Sequence, residues 1–457
     1  MTPSAVNTVD PQTLQASLDS VVSEYIRRNP RSREMHQRAQ QSLPGGNTRA
    51  GVNVDPFPIY ADYAESIYLH DLDGHCLLDF VNNATSLILG HSHPAVVEAI
   101  QHAVRRGTAF SRPVALEVEM AELLKERMPA MERVRFCSSG TEAVLNVLRV
   151  ARAFTGKFRT AKFEGAYHGI DDHAMVSFAP PLGPDLGPAD RPNSISSTEG
   201  LTRGAVDDVL VLPFNDGDAC ERLIDEHADE LATVIVDPLS TAAGLTLPTN
   251  DFLQRLRDIT QRHGILLLFD EIVSFRVHPG GAHSMFGVRP DLICLGKVVS
   301  GGTPAAVFGG RADVMALFDP TSGVPRIWQS GTFNANPISL TAGLVTLRHL
   351  TADAYERLGS RTRELANSLQ DVFDEFRVPA SVVAIGSLMR VYFLERPPVN
   401  YREAARDSST MHRWLFLSLL NREIYWRNRN VCAVSLPMAQ EHIDRLVTSV
   451  REILSRS

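Results

Sequence analysis

The sequence predicts an α/β fold, with a large domain on a mostly parallel β-sheet flanked by helices and a smaller α+β domain. Short apolar runs such as Val209–Leu212, Val234–Val236 and Ile265–Phe269 alternate with longer stretches of helical periodicity. This alternation is typical of strands that are buried on both faces of a parallel sheet. After about residue 340 the pattern changes, and helices alternate with β segments at Val382–Leu394 and Val431–Leu436. These later elements indicate the separate, smaller domain.

Length and composition are those of a globular chain with more than one domain. The 457 residues are 44% hydrophobic, which is enough to bury a large core. We expect an N-terminal segment at 1–85, a large domain at 86–340 and a C-terminal segment at 341–457. The two terminal segments are expected to form the small domain together.

Charge and cysteine content restrict the partners and the compartment. The net charge is −8, and no Lys/Arg run resembles a nucleic-acid or membrane footprint, so we expect small-molecule partners. Five cysteines are scattered without CxxC pairing, which favours a reducing compartment. No apolar stretch approaches the length of a membrane span, and the first residues lack a signal-peptide pattern. These observations predict a cytoplasmic protein.

The N-terminal segment predicts a small antiparallel piece behind a helix. Residues 1 to about 15 are polar and are expected to be frayed, and a helix is expected from Tyr25 to Gln41. A turn cluster at Pro44–Arg49 follows. Apolar runs on both sides of Asp71–Gly74 predict a hairpin. The pair His91 and His93 lacks acidic or cysteine partners at local spacing, so we expect helix capping and no metal site.

A hydroxyl-rich turn joins a predicted strand to a predicted helix at Ser139, Gly140 and Thr141. Backbone amides at a helix N-terminus, together with the helix dipole, bind phosphate groups well. The same residues also suit a helix that is merely well capped. The sequence alone leaves both interpretations open.

A second loop after a predicted strand carries Tyr167 and His168 between glycines. Such side chains can stack on a flat cofactor ring, although a Tyr-His pair is often only packing. A metal site formed by His168, Asp171, Asp172 and His173 has less support. Residues 177–205 then form a long loop rich in Pro, Gly and Ser.

Asp270 directly follows one buried apolar run, and Lys297 closely follows another. In open α/β sheets, ligands bind at the carboxyl ends of the strands. A poorly solvated lysine is available as a nucleophile, and a carboxylate can keep a pyridine nitrogen protonated, so the pair suits pyridoxal phosphate. Taken singly, Asp270 could cap a turn and Lys297 could be a surface charge.

The order of eight motifs strengthens the cofactor interpretation. They are PGGNTR, DLDGHCLLDF, GHSHP, SSGTEA, FEGAYHG, LLLFDEI, LICLGK and SGTFNANP. In this order the chain resembles the class III, fold-type I pyridoxal-phosphate aminotransferases. It is similar above all to the branch of glutamate-1-semialdehyde aminomutase and the β-amino-acid aminotransferases. The resemblance runs from Pro44 to the last helix and implies a seven-stranded, mostly parallel sheet in the large domain.

The resemblance also implies residue roles. Lys297 would form the Schiff base with pyridoxal 5′-phosphate and later move the proton between the substrate and the cofactor. Asp270 would pair with the pyridine nitrogen, and Tyr167 would stack on the ring. The other residues assigned to the cofactor are Ser139, Gly140 and Thr141 at the phosphate, with His168 and Ile272. Thr332 would reach the phosphate of a neighbouring subunit, which implies a homodimer with shared sites.

For the substrate, the resemblance assigns Arg49 to carboxylate binding, and Arg427 and Arg429 are weaker candidates for a second contact. A solvated loop arginine is the alternative for Arg49. The implied reaction moves an amino group from an amino acid, with a β-amino acid as one candidate donor, to a keto acid through pyridoxamine phosphate.

Two other functions stay open at this point. One is an aminomutase or a racemase, although the Glu-Ala-Gly-Phe stretch of the aminomutase is absent and this chain has Arg427–Val431 in that region. The other is a non-catalytic binding or regulatory module. Ser138 is a mild departure from the family pattern that leaves the amides of the predicted phosphate site intact. The departures at Asp237–Ser240 and Thr303–Ala306 concern the substrate side of the site.

Overall fold

A computed structural model describes residues 11–249, 251–321 and 323–456. Its larger compact unit comprises Pro94–Glu356 and Pro398–Arg406, and its smaller unit comprises Met1–His93, Arg357–Pro397 and Asp407–Ser457. We keep the ranges 1–85, 86–340 and 341–457 as a proposal for the domains, because compactness alone does not define a folding unit.

The strands and helices have the following bounds. The strands are β1 Ala61–Glu65, β2 Tyr68–Asp71, β3 Cys76–Asp79, β4 Arg133–Cys137, β5 Arg159–Phe163, β6 Val209–Leu212, β7 Leu231–Val236, β8 Leu266–Asp270, β9 Leu292–Leu295, β10 Ala306–Gly310, β11 Ser381–Ile385, β12 Leu388–Tyr392, β13 Ile424–Tyr425 and β14 Cys432–Ala433. The helices are α1 Pro11–Arg28, α2 Pro30–Ala39, α3 Pro94–Arg106, α4 Ala115–Arg127, α5 Gly140–Thr155, α6 Arg203–Asp207, α7 Gly217–Glu226, α8 Phe252–Arg262, α9 Gly281–Met285, α10 Ala312–Met315, α11 Pro337–His349, α12 Ala352–Glu375, α13 Tyr401–Ala404, α14 Ser409–Leu420 and α15 Gln440–Ser455.

The larger unit is built on a seven-stranded sheet with the order β4-β10-β9-β8-β7-β5-β6. Strand β10 is antiparallel to both of its neighbours, and the pairings from β9 to β6 are parallel. The predicted fold class, an α/β protein with a mostly parallel seven-stranded sheet, is confirmed. Every residue of β6, β7, β8 and β9 is buried, which explains why these strands are continuous apolar runs.

Helices cover both faces of this sheet. On one face Phe163, Phe214 and Phe252 form a cluster of edge-to-face rings. On the other face the apolar side of α5, with Val144 and Val147, lies in the same buried cluster as residues of β8 and β10. The rigid sheet therefore fixes the carboxyl ends of β7, β8 and β9 in space.

The smaller unit contains a four-stranded sheet, β1-β2-β3-β13, and a three-stranded sheet, β11-β12-β14. The expectation of a frayed terminus to about residue 15 is wrong from Pro11 onward, where α1 begins, and residues 1–10 lie outside the described range. The single helix expected from Tyr25 to Gln41 is also wrong. It breaks at Asn29 because Pro30 has no amide to donate and instead begins α2. In the part of the chain described, no helix combines the length and apolarity needed to cross a membrane.

Candidate active site

Asp270 is the last residue of β8 and is buried. Its Oδ2 atom lies 2.7 Å from Nδ1 of His168, and its Oδ1 atom accepts a hydrogen bond of 3.1 Å from the Ile272 amide. Two donors from different segments thus fix the orientation of the carboxylate. The histidine carries its proton on Nδ1 in this arrangement.

His168 leaves one ring atom without a partner. Its Nε2 atom is buried and finds no hydrogen-bond partner within the described residues. An unpaired buried nitrogen is costly, so a bound group at this position would relieve the cost. The sequence predicted His168 as a cofactor residue, and the contact with Asp270 adds a second task, which is to hold the carboxylate.

Asp237 follows β7, the strand beside β8, and sequence reasoning treated it only as a departure from the family pattern. Its carboxylate is buried and accepts hydrogen bonds from the Thr241 amide at 2.8 Å and from the Leu239 amide at 3.1 Å. Burial, and then the charge of Asp270, raise its pKa above the usual value for aspartate. The sequence could have identified Asp237 as a site residue, because it lies at the end of a buried strand as Asp270 does.

The predicted phosphate site lies at the N-terminus of α5. Ser139 caps this helix, since its Oγ accepts the Glu142 amide at 3.2 Å, and the Glu142 carboxylate accepts the Ser138 amide at 3.2 Å. Within the described range, the amides of Gly140 and Thr141 have no protein acceptor. The helix is therefore capped and still has two amides for an anion, so both interpretations of the sequence are compatible with the geometry.

Ile272 lies between the phosphate site and the lysine. A Cβ atom on Gly140 would come within 2.6 Å of the Ile272 side chain, and one on Gly296 within 3.2 Å. Glycine at 140 is thus required for the close approach of α5 to the end of β8. Ile272 connects the ends of three segments of the site.

Lys297 begins a 3-10 turn two residues after β9 ends. Because Asp270 is paired with Cys294 across the parallel strands β8 and β9, Asp270 and Lys297 leave the same edge of the sheet. Lys297 is half-buried and has a φ of +49°. This strained conformation is rare for residues other than glycine and is concentrated at functional sites.

Tyr167 presents its ring at the surface of the unit. The side chain is 42% exposed, and its ring centroid lies 5.0 Å from that of Phe178. Burial, and then the charge of Asp270, raise the pKa of Tyr167. A ring that is supported on one side and open on the other is suited to stacking on a planar ligand.

A buried lysine that sequence reasoning missed holds the loop of Tyr167 and His168. The Nζ atom of Lys162 donates to the carbonyl oxygens of Ala166 and Ala174, each at 2.9 Å, and to that of Val176. Burial lowers the pKa of Lys162 to about 7. Nothing in the local sequence points to this role, because the three carbonyls come from residues that only the fold brings together.

A second anchor that was missed comes from α13. Arg402 forms two hydrogen bonds of 2.9 Å to the carboxylate of Glu164, and it also donates to the carbonyl oxygens of Leu186 and Gly187. Tyr401 donates to the carbonyl oxygen of Pro180. The long loop expected at 177–205 is therefore fastened to the residues that precede Tyr167.

Thr332 lies in the segment before α11 and is exposed. Its neighbour Phe333 is 62% exposed, and Trp328 in the same segment is 71% exposed. The predicted contact of Thr332 with a neighbouring subunit stays a prediction.

The three predicted substrate arginines belong to the smaller unit. The Arg49 amide donates to Asn47 at 2.9 Å, and its guanidinium donates to Oδ1 of Asn83 at 3.2 Å. Burial lowers the pKa of Arg427, and the nearby charge of Arg49 lowers it further. In the described part of the chain, neither guanidinium has a carboxylate within 4 Å, whereas Arg429 donates to the Asp407 carbonyl oxygen at 3.3 Å. The charges of Arg49 and Arg427 thus act on each other, and Arg429 is engaged elsewhere.

Comparison with known proteins gives a consistent result. The family model described as aminotransferase class-III matches residues 50–451. Glutamate-1-semialdehyde 2,1-aminomutase of Methanothermobacter thermautotrophicus is 37% identical over 93% of this chain and 99% of its own length. An omega-transaminase from Sphaerobacter thermophilus has a TM-score of 0.90 at 41% identity, over 93% of this chain and 97% of that chain. A β-phenylalanine aminotransferase from Variovorax paradoxus has a TM-score of 0.88 at 34% identity, over 97% of this chain and 98% of that chain.

Proposed function

The chain belongs to the class III aminotransferases, and from this premise we propose that it transfers an amino group from a carboxylate-bearing amine to a keto acid. It is an enzyme of this class and uses pyridoxal 5′-phosphate. When bound, that cofactor supplies an aldehyde that takes up the amino group and a ring that accepts electrons. The protein supplies binding, orientation and a base.

The residues of the larger unit fit this cofactor. In our proposal Asp270, held by His168, keeps the ring nitrogen protonated through its negative charge. The open amides of Gly140 and Thr141 bind the phosphate, with Ser139 shaping the turn. Tyr167 supports the ring, and Ile272 lies beside it. Lys297 holds the cofactor and moves the proton at the reacting carbon of the substrate.

The observation that carries the substrate class is the pair Arg49 and Arg427. Two guanidiniums whose charges act on each other and that have no carboxylate partner in the described residues are suited to receive a carboxylate from outside. We therefore propose a donor that bears a carboxylate, and a β-amino acid in particular. The similarity to the β-phenylalanine aminotransferase supports this choice.

An aminomutase is the second candidate because several curated relatives at 34–37% identity bear that name. The two functions differ in where the amino group ends. Adding β-phenylalanine alone to the holoenzyme should shift the cofactor absorbance within one turnover, and pyruvate or 2-oxoglutarate should reverse the shift. If the amine always returns to its own carbon skeleton, or glutamate-1-semialdehyde is the only substrate, the transferase proposal is wrong.

We also propose a cytoplasmic homodimer whose sites are shared. The segment around Thr332 exposes Val324, Trp328 and Phe333 to the extent of 89%, 71% and 62%, and neighbouring exposed apolar side chains mark contact surfaces. Sedimentation of the active enzyme tests this, and an active monomer would contradict it. A non-catalytic module would instead stay colourless when pyridoxal phosphate is added.

A further inference from the structure

The smaller unit contains a left-handed turn made of four consecutive residues that are not glycine. Asn82, Asn83, Ala84 and Thr85 have φ values of +50°, +46°, +54° and +71°. L-amino acids avoid this region because Cβ approaches the following carbonyl oxygen, and it normally occurs at single residues. A run of four is therefore an unusual feature that its surroundings must enforce.

The surroundings of this turn do enforce it. The Asp79 carboxylate accepts the amides of Val81 at 2.6 Å and Asn82 at 3.0 Å. The side chain of Asn82 is buried and donates to the Ala433 carbonyl oxygen at 2.7 Å. The Asn82 carbonyl oxygen in turn accepts the Leu87 amide at 3.1 Å. The strain is thus held by contacts on both sides of the turn.

The turn presents Asn83 to Arg49. Asn83 is exposed, and its Oδ1 atom accepts the hydrogen bond of 3.2 Å from Arg49 Nη1. Its Nδ2 atom donates to Ser86 Oγ at 3.2 Å, which orients the amide so that the oxygen faces the guanidinium. The backbone of Arg49 is fixed independently by Asn47. One exposed arginine is therefore held at its main chain and at its head group.

An amide oxygen at this position holds a guanidinium without neutralising it. The positive charge and the remaining N–H groups of Arg49 stay available to a carboxylate. A free arginine side chain loses much rotamer freedom when it binds, so holding it in advance increases affinity. We propose that Asn83 is a positioning residue for carboxylate binding and that the left-handed turn exists to place its side chain against Arg49.

This inference rests on the proposed binding of a carboxylate by Arg49. The experiment uses holoenzyme and 3-phenylpropionate, a carboxylate without an amine, and measures its Kd by isothermal titration calorimetry. The amide of the same acid serves as the uncharged control ligand. Neither probe requires turnover, so the result is independent of which reaction the enzyme performs.

Three variants separate the positioning role of Asn83 from the backbone strain of the turn. Asn83→Gly keeps the backbone conformation and removes Oδ1. It should weaken binding of 3-phenylpropionate about fivefold to tenfold and leave binding of the amide unchanged, as expected when the Arg49 side chain must be ordered during binding. Ala84→Gly relieves backbone strain at the residue that follows Asn83. It should raise Tm by about 1–2 °C and leave the Kd of 3-phenylpropionate unchanged. Asn83→Asp pairs with Arg49 as a competing carboxylate and should weaken the acid at least tenfold.

Arg49→Ala supplies the reference for coupling. The double variant Arg49→Ala with Asn83→Gly should bind the acid no more weakly than Arg49→Ala alone, since both changes remove the same contact. Additive losses in the double variant, or an unchanged Kd in Asn83→Gly when Arg49→Ala is impaired, overturn the role of Asn83 and leave the proposed function intact. An unchanged Kd in Arg49→Ala overturns carboxylate binding itself, and this inference with it.

Discussion

Replacing Arg402 by Met should loosen the long loop 177–205, which Arg402 fastens to Glu164 on the cofactor side of the site. Arg402 holds Glu164 through two hydrogen bonds of 2.9 Å, and the side chains are only 21% and 6% exposed. Removing one partner of a buried ion pair costs about 3–5 kcal/mol, because the other charge is left unpaired. Arg402 is partly exposed, so we take the lower end, about 3 kcal/mol. At about 1.4 kcal/mol per factor of ten, this corresponds to roughly a hundredfold change in local opening.

Thermolysin cleavage near the exposed Leu182 measures this opening directly. When reclosing is faster than cleavage, the rate follows the population of the open form, so Arg402→Met should be cleaved roughly a hundred times faster than wild type. Arg222→Met is the matched control, because Arg222 pairs with Asp190 of the same loop through an exposed bridge of 2.8 Å. Such exposed pairs contribute little, and the control should differ from wild type by less than about fivefold.

A double-mutant cycle with Glu164→Gln tests whether the pair itself is responsible. The coupling energy between the two changes should be at least about 1.5 kcal/mol, within the range for residues in direct contact. Cofactor release should accelerate in Arg402→Met as well, since Glu164 precedes the loop of Tyr167 and His168. A coupling below about 0.5 kcal/mol, or cleavage as slow as in Arg222→Met, would refute the reasoning.

Three further outcomes are expected. Lys297→Ala should abolish turnover, and borohydride reduction with peptide mapping should place the pyridoxyl group on Lys297 in wild type and on no other lysine. Asp270→Asn should retain the fold by circular dichroism and lose most activity, because a neutral amide cannot stabilise a protonated ring nitrogen; near-normal turnover would contradict this role. Burial lowers the pKa of Lys162 from 10.5 in the unfolded chain to about 7, so the unfolded chain binds more protons between these values. The buried charge of Lys162 therefore lowers the unfolding free energy fully below pH 7, and this loss is relieved as pH rises. From pH 7 to 9 the unfolding free energy of wild type should rise by about 2 kcal/mol relative to that of Lys162→Met. The prediction for Lys162 would be refuted if the unfolding free energies of the two proteins changed in parallel with pH.

The sequence contains the parts of the site that depend on neighbouring residues along the chain. Asp270 ends a buried apolar run and Lys297 follows another, so their places at strand ends could be predicted without knowing which strands pair. The order of the strands in space then puts both residues at one edge of the sheet. The hydroxyl-rich turn at Ser139 was equally readable, because a helix start has a local pattern.

The parts that depend on distant residues could not be predicted. Arg402 and Glu164 are 238 positions apart, and neither has a local pattern that selects the other. The left-handed turn contains no glycine, which is the usual signal for positive φ. The break before Pro30 is different, because the proline that causes it is local and the prediction of one helix from Tyr25 to Gln41 did not take it into account. For the ion pair and the left-handed turn, contacts made elsewhere in the fold decide the conformation.

The carboxylates at the ends of β7 and β8 show how the fold distributes charge around the proposed ring site. Both Asp237 and Asp270 are buried at the ends of adjacent strands, and two negative charges so placed disfavour each other. Asp270 is held by the His168 ring, whose Nδ1 atom lies 2.7 Å from its Oδ2 atom. Asp237 has a raised pKa and turns its carboxylate to Thr241 and the Leu239 amide. Burial, and then the charge of Asp270, thus raise the pKa of Asp237, whereas the hydrogen bonds that Asp237 accepts from Thr241 and Leu239 oppose that rise.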